Sequence, residues 1–302
     1  ENTEIMKNLV IGQSGGPTAV INASLYGAVK AFRESGADGH VLGMINGIEG
    51  FLADHVMDLS TDLSDKELEL LKLTPAAYLG SCRYKLPADL DSEVYPAIFD
   101  NFREMNIGYF LYVGGNDSMD TVDKLSRYAE KIGSDVKFIG IPKTIDNDIS
   151  FIDKSFGFET AVAACSRFAS GANNEAKGAY NGIGLVRVMG RDSGFIAAYA
   201  TLANSYINYC LVPERKFTLE GEGPDALLPN LVERMNRKHH AVMIVAEGAG
   251  QELFENAAAQ RDASGNLLNK DIGLLLKEKI NDYFKARSLE VNVKYFDLAY
   301  TI

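Results

Sequence analysis

Val136-Lys137-Phe138-Ile139-Gly140-Ile141 runs without a break into Pro142-Lys143-Thr144-Ile145-Asp146-Asn147-Asp148. The first half is a short apolar run, the form taken by a strand buried on both faces of a parallel sheet. The second half sets two carboxylates, a hydroxyl and a cation at that strand's carboxyl end, where open α/β sheets keep their ligand crevice. A phosphate-handling site fits there. An ordinary turn fits as well, because Asp and Asn hydrogen-bond their own backbone. The rest of the chain has to decide.

On either side of this stretch, strand-like runs alternate with helix-like stretches, which is the pattern of parallel βαβ units. Leu9-Val10-Ile11 leads into Gly12-Gln13-Ser14-Gly15-Gly16-Pro17-Thr18, and a helix is expected from Ala19 to about Phe32. Strands are expected at Val41 to Ile45, Tyr109 to Val113 and Phe138 to Ile141. A second series follows: an Ala-rich helix from Phe158 to Asn173, then strands Gly184 to Val188, Asn208 to Val212 and Ala241 to Ala246. A helix from Ile272 to about Lys285 and a strand from Val291 to Tyr295 complete it. The fold class is therefore α/β, with two doubly wound domains, 1–152 and 153–302.

The 302 residues carry a formal net charge of -11, with 46% hydrophobic and 24% charged residues. That is a globular composition, and the acidic balance argues against a duplex nucleic-acid binder, which needs a basic face. An acidic chain that binds phosphates must gather its cations locally or recruit a metal, and Mg²⁺ is the expected one. No apolar run reaches membrane-span length, and Glu1-Asn2-Thr3-Glu4 lacks a signal-peptide pattern, so a cytoplasmic protein is expected. Cys82, Cys165 and Cys210 are widely spaced and read as reduced; the four histidines show no metal-ligand spacing.

Two glycine-rich turns follow predicted strands. Ser14-Gly15-Gly16 between a first strand and a first helix lets backbone N–H groups approach an anion, although a simple tight turn fits too. Gly114-Gly115-Asn116-Asp117-Ser118 adds side-chain oxygens suited to a hard cation with retained waters; the other reading is a capped helix start.

Together with Gly80-Ser81-Cys82-Arg83, Met189-Gly190-Arg191 and Ala246-Glu247-Gly248, these segments stand in the order seen in the phosphofructokinase family. The chain resembles that family over nearly its whole length. The resemblance implies two Rossmann-like three-layer domains, the first binding diphosphate and Mg²⁺, the second a sugar phosphate. It implies phosphoryl transfer to the 1-hydroxyl of fructose 6-phosphate, with Asp146 as general base, Thr144 beside it, and Arg83 steadying the transferring group. Thr144 and Asp148 would orient the sugar phosphate and the metal-water shell. Met189, Gly190, Arg191, Glu247, Lys294 and Tyr300 would contact the sugar phosphate, and Asn116 and Asp117 the metal. A homo-oligomer is also implied.

Family members that use ATP generally carry Gly where this chain has Asp117 and Lys143. An Asp there occupies the space of a nucleotide's α-phosphate, and two unit charges about 4 Å apart repel by roughly 4 kcal/mol at an effective dielectric of 20. Lys143, with Gly15, Gly16 and Asp117, would instead hold inorganic diphosphate. ATP as donor, sedoheptulose 7-phosphate as acceptor, and a noncatalytic sugar-phosphate binder are the alternatives. Three departures accompany the resemblance: Asn116 where many relatives are acidic, Gly182 where ATP users place a cross-subunit arginine, and a chain that stops before the family's carboxyl-terminal elements. The last is expected to mark a fragment of a longer enzyme.

Overall fold

In the computed structural model, residues 7–16, 18–254 and 269–298 are described. The chain divides into two compact units, Glu1–Thr144 and Ile145–Ile302. The opening stretch spans that division: Lys143 and Thr144 belong to the first unit, Asp146 and Asp148 to the second.

The first unit runs β1 (Asn8–Gln13), α1 (Ala19–Glu34), β2 (Val41–Met44), α2 (Gly47–Leu52), β3 (Val56–Asp58), α3 (Asp65–Leu71), α4 (Val94–Glu104), β4 (Ile107–Gly114), α5 (Asn116–Ile132) and β5 (Lys137–Pro142). The sheet order is β3-β2-β1-β4-β5, parallel except for β3. Neighbouring residues of β1 face opposite ways, as a pleated strand requires. Val10 packs with Phe51, Phe99, Phe110 and Tyr128 beneath α2, α4 and α5. Leu9 and Ile11 pack with Ile21, Leu25, Val29 and Leu68 beneath α1 and α3. Helices thus cover both faces, giving three layers. The antiparallel β3 and helices α2 to α4 go beyond the sequence expectation; α3 starts at a capping box in which Ser64 and Glu67 satisfy each other's backbone N–H.

The second unit runs α6 (Phe158–Gly178), β6 (Gly182–Val188), α7 (Phe195–Ala203), β7 (Tyr209–Leu211), α8 (Leu227–Lys238), β8 (His240–Ala246), α9 (Ile272–Lys285) and β9 (Asn292–Asp297). Its sheet is parallel throughout, ordered β7-β8-β6-β9. Leu185, Met243 and Val245 face α8 and α9, while Val186, Val188 and Ile244 face α6 and α7. The Ala-rich face of α6 lets it lie close on β6. A methyl group on Gly184 would stand 2.7 Å from the Ala172 carbonyl oxygen, and one on Gly182 2.1 Å from that of Ala176. The three cysteines are free thiols, Cys82 and Cys165 buried. Among the described residues, no helix is long and apolar enough to cross a membrane.

Candidate active site

In the first unit, the chain leaves β1 toward one side of the sheet and returns to β4 on the other, so the crevice between them opens at their carboxyl ends. Both glycine turns lie there. Ser14 N–H donates to Val113 O at 2.9 Å, and Lys143 N–H to Gly114 O at 2.7 Å, joining the ends of β1, β4 and β5. Gly15 has φ +80°, and a methyl group on it would stand 3.6 Å from Gly115 N. A methyl group on Gly16 would stand 3.8 Å from Lys143 Nζ. The bare glycine turn and the ammonium therefore face each other across a gap that a side chain would fill. Gly115 caps α5, putting Asn116 and Asp117 in that helix's first turn, at the positive end of its dipole.

The segment carrying Arg83 is stitched to the same turn. Ser14 Oγ donates to Cys82 O at 3.1 Å and Ser81 Oγ to Gly15 O at 2.8 Å. Cys82 and Leu86 are buried while Arg83 and Lys85 are exposed, so the two cations leave the segment on its solvent side. Lys85 Nζ lies 3.5 Å from Asp117 Oδ1. Sequence reasoning missed Lys85; its spacing of two from Arg83, in a stretch alternating apolar and charged residues, was the available signal. It also missed the support beneath. Gln13 and Asn22, both fully buried, hydrogen-bond at 3.1 Å, and together hold Leu79 N, Tyr78 N and Thr74 O at 2.9, 2.7 and 2.9 Å.

The second cluster lies in the second unit. Ser193, buried, donates from Oγ to Asp146 O at 3.1 Å, and the Arg191 backbone N–H donates to the Asp146 carboxylate. Burial, then the negative field of Asp148, push that carboxyl up to about 6, with Glu247 and Asp192 adding to the rise and the Arg191 N–H opposing it. Asn147, at φ +59°, has a framework role: its Oδ1 accepts from Ser155 N at 2.7 Å. The loops after β6 and β8 interlock. Glu247 N–H donates to Val188 O and Gly248 N–H to Gly190 O, both at 3.0 Å. Gly190 has φ +121°, and a methyl group there would stand 2.3 Å from Ser193 O. Met189 is half-buried against the α6–α7 core. Glu247's carboxyl is raised by burial and held down by Arg187 and Arg191.

The structure thus brings Gly15, Gly16, Arg83, Asn116, Asp117 and Lys143 together in one unit, followed directly by Thr144. It brings Asp146, Asp148, Gly190, Arg191 and Glu247 together in the other. Lys294 pairs with Gly184 on β6, three residues before Asp297 ends β9. Tyr300 lies outside the described residues. Two cavities, of about 220 and 420 Å³, lie beside β7 and at the amino ends of β4 and β5, and no predicted site residue lines either.

For Mg²⁺, no group of three or more His, Cys, Asp and Glu among the described residues could hold a metal ion. A hard cation that keeps its waters and takes substrate phosphates as ligands needs only one or two protein oxygens, and the Asp117 carboxylate and Asn116 amide in α5's first turn fit that donor set.

A profile described as phosphofructokinase matches residues 8–300. The chain belongs to the phosphofructokinase family. It is 46% identical over 211 residues, 68% of its own length, to an ATP-dependent 6-phosphofructokinase of Borreliella burgdorferi, and covers 47% of that protein. It is 35% identical over 280 residues to a pyrophosphate–fructose 6-phosphate 1-phosphotransferase of Rhodospirillum rubrum, covering 88% of this chain and 66% of that one. A crystal structure of a pyrophosphate-dependent phosphofructokinase from Marinobacter aquaeolei superposes with a TM-score of 0.75 at 29% identity, over 98% of this chain and 69% of that one. The chain spans about half the length of the first curated phosphofructokinases it matches.

Proposed function

We propose that this protein transfers a phosphoryl group from inorganic diphosphate to the 1-hydroxyl of fructose 6-phosphate, giving fructose 1,6-bisphosphate and phosphate. The observation that carries the reaction type is Asp146, a part-buried carboxylate tuned to about 6, held by the Arg191 N–H and flanked by Glu247 and Asp148. A carboxylate at that value is ionised at neutral pH yet basic enough to take a hydroxyl proton as the oxygen attacks phosphorus. Relatives named for both ATP and pyrophosphate share fructose 6-phosphate chemistry.

The remaining residues take the following roles in this proposal. Thr144 precedes the base and orients the acceptor; Asp148, Met189, Gly190, Arg191 and Glu247 bind the sugar phosphate. Lys294 and Tyr300 remain proposed contacts by resemblance. Gly15 and Gly16 receive the diphosphate on bare backbone, Lys143 supplies a cation, and Arg83 matches the equatorial phosphoryl oxygens with its fork. Mg²⁺, held through Asp117 and Asn116, would neutralise charge on the donor. The reading makes the first unit, ending at Thr144, a donor domain and the second, from Ile145, an acceptor domain, and places the enzyme in the cytoplasm.

The choice of diphosphate rests on Asp117 and Lys143. ATP is the second reading, favoured by the name of the 46% identical Borreliella relative. A homo-oligomer is supported by α7, which exposes Phe195, Tyr199 and Leu202 along one stripe, at 42%, 51% and 85%. Light scattering on the purified protein tests it, and a monomer at micromolar concentration would contradict it. The reaction is tested by Asp146→Asn, which should lower kcat by about a hundredfold or more. An unchanged rate removes Asp146 from the base role.

A further inference from the structure

Arg187 is a cation in the middle of a buried sheet. Its neighbours on β6, Leu185, Val186 and Val188, are buried core, and its own side chain is only 13% exposed. The register sets it opposite Val245 on β8 and Asp297 on β9, one residue before β6 ends. Nη2 donates to Glu247 Oε2 at 3.0 Å and Nη1 to Asp297 Oδ2 at 3.0 Å, while Asp271 Oδ2 stands 3.8 Å from Nη1. Asp271 caps α9 through Leu274 N and accepts from Tyr295 OH at 2.8 Å. One guanidinium therefore holds the loop after β8, the end of β9 and the start of α9.

Neutralising one buried cation takes one carboxylate, and three surround this one. What the arrangement fixes is the position of Glu247. With Oε2 engaged by Arg187, the carboxylate is held in one rotamer, and Oε1 is the oxygen that can accept from a ligand hydroxyl. We infer that Arg187 is the positioning residue for Glu247, holding its carboxylate in the orientation that binds the sugar phosphate. The inference rests on the proposed reaction, in which Glu247 is a substrate contact. Arg187 itself touches no substrate.

The alternative is a purely architectural clamp, and the two differ in what they do to kinetics. Losing the guanidinium leaves Glu247 without its main counter-charge, facing Asp297, Asp271 and Asp146, with Arg191 the remaining cation. Its carboxyl then protonates at higher pH. A positioning role predicts that Arg187→Met raises KM for fructose 6-phosphate by about tenfold, with kcat changed less than about threefold. The onset of the KM rise on acidification moves to higher pH than in the wild type. Arg187→Lys, which keeps the charge, recovers most of the loss.

The test is a double-mutant cycle in the intact protein: wild type, Arg187→Met, Glu247→Gln and both together, assayed with fructose 6-phosphate, diphosphate or ATP, and Mg²⁺. The expected result is that the double variant's KM is no worse than that of Glu247→Gln alone. Additive effects, or an unchanged KM in Arg187→Met, overturn the inference while leaving the reaction intact. If Arg187→Met does not fold, Arg187→Lys carries the same cycle, with a smaller KM rise that again vanishes beside Glu247→Gln. If the wild type phosphorylates no fructose 6-phosphate with either donor, the proposed reaction fails and this inference falls with it.

Discussion

At the scale of single residues, Asp146 makes opposite demands on activity and stability. Its carboxyl is raised to about 6 in the folded chain, chiefly by burial, so the native state holds the proton more tightly than the unfolded one. Its contribution is therefore a destabilisation that is absent below the unfolded value near 4, grows as pH rises to about 6, and is complete above it. Activity runs the other way, since a base works ionised. We predict a kcat/KM profile that rises on its acid limb with an apparent pKa near 6, lost in Asp146→Asn. The same substitution should stabilise the fold at pH 8 by up to about 3 kcal/mol, less whatever the Arg191 N–H hydrogen bond contributes. Urea unfolding at pH 4 and pH 8 checks it; a gain at pH 4 that vanishes at pH 8 would have the wrong sign. Lys85 changes the electrostatics at Asp117 only modestly. Both side chains are more than a third exposed, and such pairs contribute about 1 kcal/mol or less, so crowding at Asp117 and the Lys143 cation remain the main grounds for donor choice.

At the scale of elements, two contacts position the site from below. The Gln13–Asn22 amides hold residues 74–79, which lead into Ser81, Cys82 and Arg83. Asn22→Ala removes the oxygen that accepts from the Gln13 amide and the Tyr78 N–H and the amide that donates to Thr74 O, and should cost about 1–3 kcal/mol and raise hydrogen exchange at Tyr78 and, through the loosened Gln13, at Leu79. Unchanged exchange there would mean the segment is held by something else. In the second unit, Gly184→Ala drives a methyl against the Ala172 carbonyl. It should cost about 1–3 kcal/mol by chemical denaturation, because backbone cannot step aside as a side chain can.

Local patterns of sequence announce some of these features and long-range contacts hide others. The parallel strands were readable because each is a local apolar run closed by Gly or polar residues, and the glycine turns followed from their places after β1 and β4. Asn22 lies within a helix whose sequence gives no sign that its amide serves a loop more than fifty residues away. Arg187 reads as a stray charge in strand Gly184 to Val188, and its meaning comes from Glu247 and Asp297, 60 and 110 residues distant. Helices α2 and α4 are held by the packing of Phe51, Phe99 and Phe102, and the short α3 by that of Leu68 and Leu71, more than periodicity announces them.

At the scale of the whole molecule, the division between the two units falls within one heptapeptide: Lys143 lies in the unit with the glycine cradle, and Asp146 in the unit with the acidic cluster. What most needs testing is that the cradle takes diphosphate. The direct measurement is kcat/KM for diphosphate and for ATP, with saturating fructose 6-phosphate and Mg²⁺, in the wild type and in Asp117→Gly/Lys143→Gly. Diphosphate should be preferred by about a thousandfold in the wild type, and the double substitution should move the preference toward ATP. Equal or better turnover of ATP by the wild type would rule out a diphosphate cradle.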